Sequence, residues 1–350
     1  MKSSAVASES AAEGAAAGIL EQEGTAAEAL IAGFLAAAAA RPGVLWAPLQ
    51  ALIAGPATFA RAFDGRARQP GLGLPRPRGA VDAGSIPLAA RVAAPASLGA
   101  LALLHAYDAT VSFERLAGPA LDYAEGVGAV ERRALLAKVA RLGPGALRAP
   151  AVLRPLLAAA GRTEGGLLSE KDLAEVRPES ALPREVQLAG DRSALISPWP
   201  SPEAPGRPVE VIAVADARGV LGVLGYAPDD DGLLVPELGL ALTRDAVVVR
   251  RGIPRMAPGE VLPGSAPLAI ALAGKLAFMV LGVRSSTPLS AADLACIWPA
   301  SALTGNQSLA LAHERAGRAL AVGLVRSSKS AQVQKLAIPA GVMPRRPEGP

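Results

Sequence analysis

From Ala26 to Ala40 the chain carries one charged side chain, Glu28, among alanines, leucines, Ile31, Gly33 and Phe34. Alanine and leucine are strong helix formers, so the stretch predicts a helix, and Arg41-Pro42-Gly43 stops it. A helix that is apolar all round is stable only when it is covered on every side. A bilayer is not that cover, because the apolar run 29–40 is about half of the ~20 residues that a membrane span needs. The rest of the chain must therefore wrap this helix, and every other expectation follows from asking what can do so.

Weaker helical patterns occupy 10–22, with Ser10 as N-cap and Gly24 just beyond the end, then 98–107, 113–125, 131–141, 150–160 and 170–175. Strand signals dominate later, at 209–215, 220–226, 246–249, 268–273 and 276–283, with hairpin turns at 216–219 and 273–275. Hydrophobic residues make up 51% of the 350 but aromatics only 3%, which predicts a core of small aliphatic side chains with closely packed helices. The order, helices and then strands, predicts an α+β chain in which a helical first half covers a strand-rich second half. The expected organisation is a helical segment 1–193, a proline-rich junction 194–208, a strand-rich segment 209–335 and a loose tail 336–350, all in one cooperative domain.

Several functions are disfavoured by composition. The net charge of +4 is spread along the chain, and Arg132–Arg133, Arg250–Arg251 and Arg345–Arg346 are pairs without interleaved aromatics, so no nucleic-acid footprint is expected. Cys296 stands alone, and His105 and His313 are far apart, so neither a disulfide nor a metal site is expected. The start of the chain lacks the apolar core of a signal peptide, and a cytoplasmic protein without membrane contact is expected. No Walker A loop, G-x-S-x-G elbow, H-E-x-x-H or dinucleotide fingerprint occurs. The run Asp229-Asp230-Asp231-Gly232 lacks the alternating ligands of a calcium loop and reads as a solvated turn.

More specific segments stand in a defined order. They are Gly24-Thr25-Ala26-Ala27-Glu28-Ala29, Phe63-Asp64-Gly65-Arg66, Pro119-Ala120 with Ala124-Glu125-Gly126, Gly165-Gly166-Leu167-Leu168-Ser169-Glu170-Lys171-Asp172-Leu173, and the stretch from Pro258-Gly259 to Pro267. Together they resemble the γ-glutamyltransferase family, over roughly residues 5 to 285, in a compact and degenerate form. The resemblance implies the N-terminal-nucleophile fold, an αββα sandwich, with no cofactor, and by analogy a link to glutathione metabolism.

In that family a threonine cleaves the bond before itself and then acts as nucleophile, with its freed amine as base. The matching strand here is 209–219, anchored by Asp216 and Gly219, and it places Val209 at the nucleophile position. No Ser, Thr or Cys occurs from Gly206 to Gly219, so no shift of register supplies one. The resemblance also implies a residual pocket of Arg66, standing where a carboxylate clamp would, Asp245, Gly264 and Ser265. A second acid is replaced by Ala246, a glycine donor loop by Val283-Arg284-Ser285-Ser286, and a glycine run by Trp46-Ala47-Pro48-Leu49. The implied protein is a γ-glutamyltransferase-like chain without catalysis, acting beside a paralogue or its own copies and taking a glutamate-like molecule weakly if at all. The alternative is an amidase on the same fold with a relocated nucleophile, Ser265 or Ser285. A third reading is an unrelated α+β binding domain.

Overall fold

The computed structural model describes residues 3–56, 58–75, 86–188, 190–199, 207–249, 255–264, 266–274 and 276–283, and the backbone of two further strands at 321–326 and 333–338. The helices are α1 (Ser10–Glu21), α2 (Ala26–Ala40), α3 (Ser97–Asp108), α4 (Phe113–Gly126), α5 (Val130–Leu142), α6 (Pro150–Ala160) and α7 (Glu170–Glu175). The strands of the first half are β1 (Ser4–Ala7), β2 (Leu49–Gly55), β3 (Thr58–Gly65), β4 (Glu179–Ala181), β5 (Arg184–Gln187) and β6 (Arg192–Ile196). Those of the second are β7 (Glu210–Ala215), β8 (Leu221–Tyr226), β9 (Leu233–Val235), β10 (Leu240–Leu242), β11 (Leu268–Ala273), β12 (Leu276–Val283), β13 (Ala321–Arg326) and β14 (Val333–Ile338).

Two six-stranded antiparallel sheets carry the fold, in the orders β1-β7-β8-β2-β3-β4 and β14-β13-β12-β11-β6-β5. Every residue of β7 and β8 is buried, which is why, apart from Glu210 at the head of β7, both read as apolar runs. Their side chains alternate between two cores. Val211, Ala213, Leu221 and Val223 meet Leu268, Ile270 and Val280 of the second sheet. Ile212, Val214 and Leu224 face the other way, into the core built around α2. The sheets approach so closely that a Cβ on Gly282 would lie 2.3 Å from Val211 Cγ1. Helices over one sheet, and that sheet over a second, are three of the four layers the resemblance implied.

The α2 helix has the expected bounds, and its residues from Ala26 to Ala39 are all buried. Its start is held by a reciprocal cap: Glu28 N donates to Thr25 Oγ1 at 3.2 Å, and Thr25 N donates to Glu28 Oε2 at 2.7 Å. The other Glu28 oxygen accepts from Thr110 N at 2.6 Å, Thr110 Oγ1 at 2.9 Å and Val111 N at 3.0 Å. Asp172 plays a matching part after the paired glycines: it closes the cap of α7 with Ser169 and accepts from Gly71 N and Leu72 N. Two of the segments read as family-like are thus explained by the frame they hold.

Several local expectations differ from the structure. The first half supplies β1 to β6, so the two halves interleave: β1 pairs with β7, β2 with β8 and β6 with β11. Alanine in β2 and the Ala-Arg alternation of β3 hid both strands. Residues 246–249 form no ladder; Ala246 N donates to Arg91 O at 2.9 Å and Val247 N to Gln69 Oε1 at 2.9 Å, so loops take the bonds a strand neighbour would have. The N-cap of α1 is Glu9, not Ser10, and makes no side-chain cap bond. β6 runs through the 193/194 boundary, and β14 reaches Ile338, beyond the boundary at 335. Among the described residues no helix is long and apolar enough to cross a membrane.

Candidate functional site

Antiparallel pairing brings four chain ends to one edge of the first sheet: the entry to β7, the exit of β8, the entry to β2 and the exit of β3. The register fixes this, since Tyr226 pairs with both Glu210 and Leu49, and Leu49 pairs with Gly65. Val209 immediately precedes β7 and is 2% exposed. The approach to β11 crosses the same edge from the second sheet. Its Ala266 lies so near that a Cβ on Gly225 would meet Ala266 Cβ at 2.7 Å and Val209 Cγ1 at 2.9 Å. Glycine is therefore needed at position 225 for the two sheets to close over Val209.

A cavity of about 60 Å³ opens here. Arg66, Val209, Asp245 and Gly264, four residues read from the sequence as one pocket, all line it. Ser265 lies outside the described residues, although Gly264 and Ala266 on either side of it line the cavity. Pro48 and Leu49, from the segment standing where the family has glycines, line it with hydrocarbon. The same segment's Trp46 is buried and donates to Ala93 O at 2.8 Å. Ala246 is packed beside Ala67, Ala93 and Leu262 instead of facing the cavity. Residues 284–286 lie outside the described residues.

Polar contacts around the cavity are largely internal. Arg66 donates from its backbone N and its Nε to Asp64 Oδ1, at 3.2 and 2.9 Å, and Asp64 is fully buried. Gln50, which sequence reading missed, accepts from Ala266 N at 2.9 Å and donates to Ser197 Oγ at 3.3 Å, fastening the loop before β11 to the first sheet. The signal for it was a lone amide inside the apolar run of β2.

Arg207 was missed as well. It donates to Asp245 Oδ2 at 2.6 Å and to Asp229 Oδ2 at 3.4 Å. Asp229 also accepts from Arg244 N, Nε and Nη2 at 3.1, 2.9 and 2.8 Å. The run at 229–231 is thus not a merely solvated turn: Asp229 is 5% exposed and is the hub of a two-arginine network. Burial would raise its pKa, but the Arg244 hydrogen bonds and both guanidinium charges bring it below the ordinary range. Asp245 shifts the other way, because burial outweighs the pull of Arg207. Burial likewise drives the Tyr226 hydroxyl far above its usual value, which keeps it protonated at neutral pH. Among the described residues lining the cavity, Tyr226 carries the one hydroxyl and none carries a thiol.

No protein-family model matches the sequence, and no curated protein matches it at significance. Solved structures do match its fold. Two structures of LmbA2991 align with TM-scores of 0.74 and 0.72, each at 14% identity over 97% of both chains. A cephalosporin acylase from Bacillus halodurans aligns with a TM-score of 0.70 at 13% identity, over 95% of this chain and 93% of that one. A γ-glutamyltranspeptidase from Pseudomonas nitroreducens reaches only 0.48, at 17% identity over 56% of this chain and 71% of that one. At such identities the likeness is one of fold, and the fold is the N-terminal-nucleophile sandwich that the resemblance to γ-glutamyltransferases implied.

Proposed function

We propose that this chain is a γ-glutamyltransferase-like protein that does not catalyse, and that it works through its surface or a residual pocket beside a paralogue or its own copies. The observation that carries this reading is Val209 at the head of β7, walled by Gly225 and Ala266 and facing the cavity. An alkyl side chain can neither attack a carbonyl nor release a new chain terminus. The internal pairing of Arg66 with Asp64, and of Asp245 with Arg207, agrees with a pocket that takes glutamate at millimolar strength at best. A single cysteine in 350 residues fits a cytoplasmic setting.

Two measurements test the reading together. Mass spectrometry of the purified protein is expected to give one species near 35.2 kDa. Assay with γ-glutamyl-p-nitroanilide is expected to give no turnover. Two fragments meeting near residue 208, or measurable hydrolysis, would overturn it.

One observation favours a second reading, an amidase with Ser265 as nucleophile: both chain neighbours of Ser265 line the cavity. Turnover abolished by Ser265→Ala would establish it. Turnover that survives that change but falls with Arg66→Ala would place the nucleophile elsewhere in the same pocket.

A further inference from the structure

The cavity at the head of β7 contains a cation supplied by the chain itself. Arg207 stands two residues before Val209, and Pro208 between them restricts the backbone. Its side chain is 26% exposed, and its Nε is buried without an acceptor among the described residues. Its two terminal nitrogens reach separate carboxylates, Asp245 at 2.6 Å and Asp229 at 3.4 Å. Arg66, Arg207 and Asp245 line one cavity, so the acid side of that cavity is already met by a guanidinium.

We propose that Arg207 is the resident ligand of this pocket: its guanidinium occupies the cation subsite at Asp245, and a foreign cation enters only by displacing it. Asp229, which Arg244 already holds outside the cavity lining, is its second and longer contact. The proposal rests on the non-catalytic reading to this extent, that an uncut chain keeps Arg207 joined to Val209. The tether gives the side chain a high effective concentration at the subsite, which a free ligand must overcome. A planar fork spanning two carboxylates is met by a monosubstituted guanidinium and not by a compact ammonium. The ligand class of the emptied subsite is therefore alkylguanidinium, the arginine head group, and α-amino acids bind poorly in the natural protein because their ammonium finds the acid already paired.

The test is titration with methylguanidinium, followed by saturation-transfer NMR and calorimetry on the full-length chain. Arg207→Ala is expected to bind it with a dissociation constant of about a millimolar, at least tenfold more tightly than the natural protein. Adding Asp245→Asn is expected to remove that gain, and methylammonium is expected to bind at least tenfold more weakly than methylguanidinium. If Arg207→Ala does not fold, Arg207→Met keeps the stem's bulk without the head group and serves the same comparison. Equal binding to the natural and Arg207-substituted chains would overturn the proposal, as would binding indifferent to Asp245→Asn. Neither outcome depends on turnover, so failure here is distinguishable from failure of the non-catalytic reading.

Discussion

The two ends of β7 are built on opposite principles. At its far end Asp216 accepts from Ala26 N at 3.2 Å, Val220 N at 2.9 Å, and Arg218 N, Nε and Nη2 at 3.0, 2.9 and 2.8 Å. Arg218 continues to both oxygens of Asp108, at 3.1 and 2.6 Å, so one carboxylate ties the start of α2, the end of α3 and the β7–β8 turn together. At the near end stands Val209 with hydrocarbon around it, and the charges at the cavity pair with one another. Polar chemistry at the first end holds the frame. At the second it lies around the cavity, while Val209 itself is an alkyl side chain packed against the second sheet.

The comparison is sharpened first by removing its strongest member. Asp216→Ala leaves the backbone donors of Ala26 and Val220 buried without an acceptor, and each orphaned group has its own desolvation penalty. Chemical denaturation is expected to show a loss of about 3 kcal/mol, the range seen when a buried charged network is broken. A loss no larger than that from a pocket substitution would erase the contrast between the two ends.

Glu28 gives the same contrast as a pH dependence. Burial alone would raise its pKa, but hydrogen bonds from Thr25, Thr110 and Val111 bring it below the ordinary value. With the folded pKa depressed, its contribution is fully present above the unfolded value of about 4.3 and is lost as pH falls through the folded value. Glu28→Gln is therefore expected to lower stability by about 2 kcal/mol at neutral pH and to flatten the acid limb of the stability profile below about pH 4. An unchanged acid limb would show that the carboxylate charge, as distinct from its shape, does not matter there.

At the pocket end the expected effect is smaller. Asp245→Ala removes the 2.6 Å partner of Arg207, but both side chains are 26% exposed and Arg207 keeps its contact with Asp229. Solvent screens such a pair, so denaturation is expected to register about 1 kcal/mol. A loss near that of Asp216→Ala would mean the pocket network is part of the frame.

The same division decides what the sequence made legible. The α2 helix was plain because an all-apolar run has one stable solution; its reciprocal cap went unread, although Thr25 and Glu28 are the residues such a cap requires. The sandwich and the convergence of Arg66, Val209, Asp245 and Gly264 came from ordered resemblance and not from periodicity. β2 and β3 stayed hidden because alanine prefers helix and only tertiary pairing with β8 overrides it. Arg207 stayed hidden because a charged residue in a proline-rich stretch reads as solvated; its partners lie 22 and 38 residues away, and nothing local announces them.

Val209→Thr is the smallest perturbation and bears most directly on the comparison. Threonine has nearly the shape of valine, so the packing against Gly225 and Ala266 is kept, and the new hydroxyl can face the cavity instead of the inter-sheet core. A hydroxyl that finds water or a polar neighbour has little net cost, so stability is expected to fall by less than about 1 kcal/mol. On the non-catalytic reading proposed above, this variant is nevertheless expected to show no chemistry. By the resemblance, a threonine here would still lack the second acid, at Ala246, and the glycine donor loop, at 283–286, that the family's chemistry uses. Intact-mass spectrometry and the γ-glutamyl-p-nitroanilide assay are expected to show neither cleavage nor turnover. If the single substitution released two fragments, the near end of β7 would be a complete processing site lacking one hydroxyl, and the contrast with the far end would shrink to that one atom.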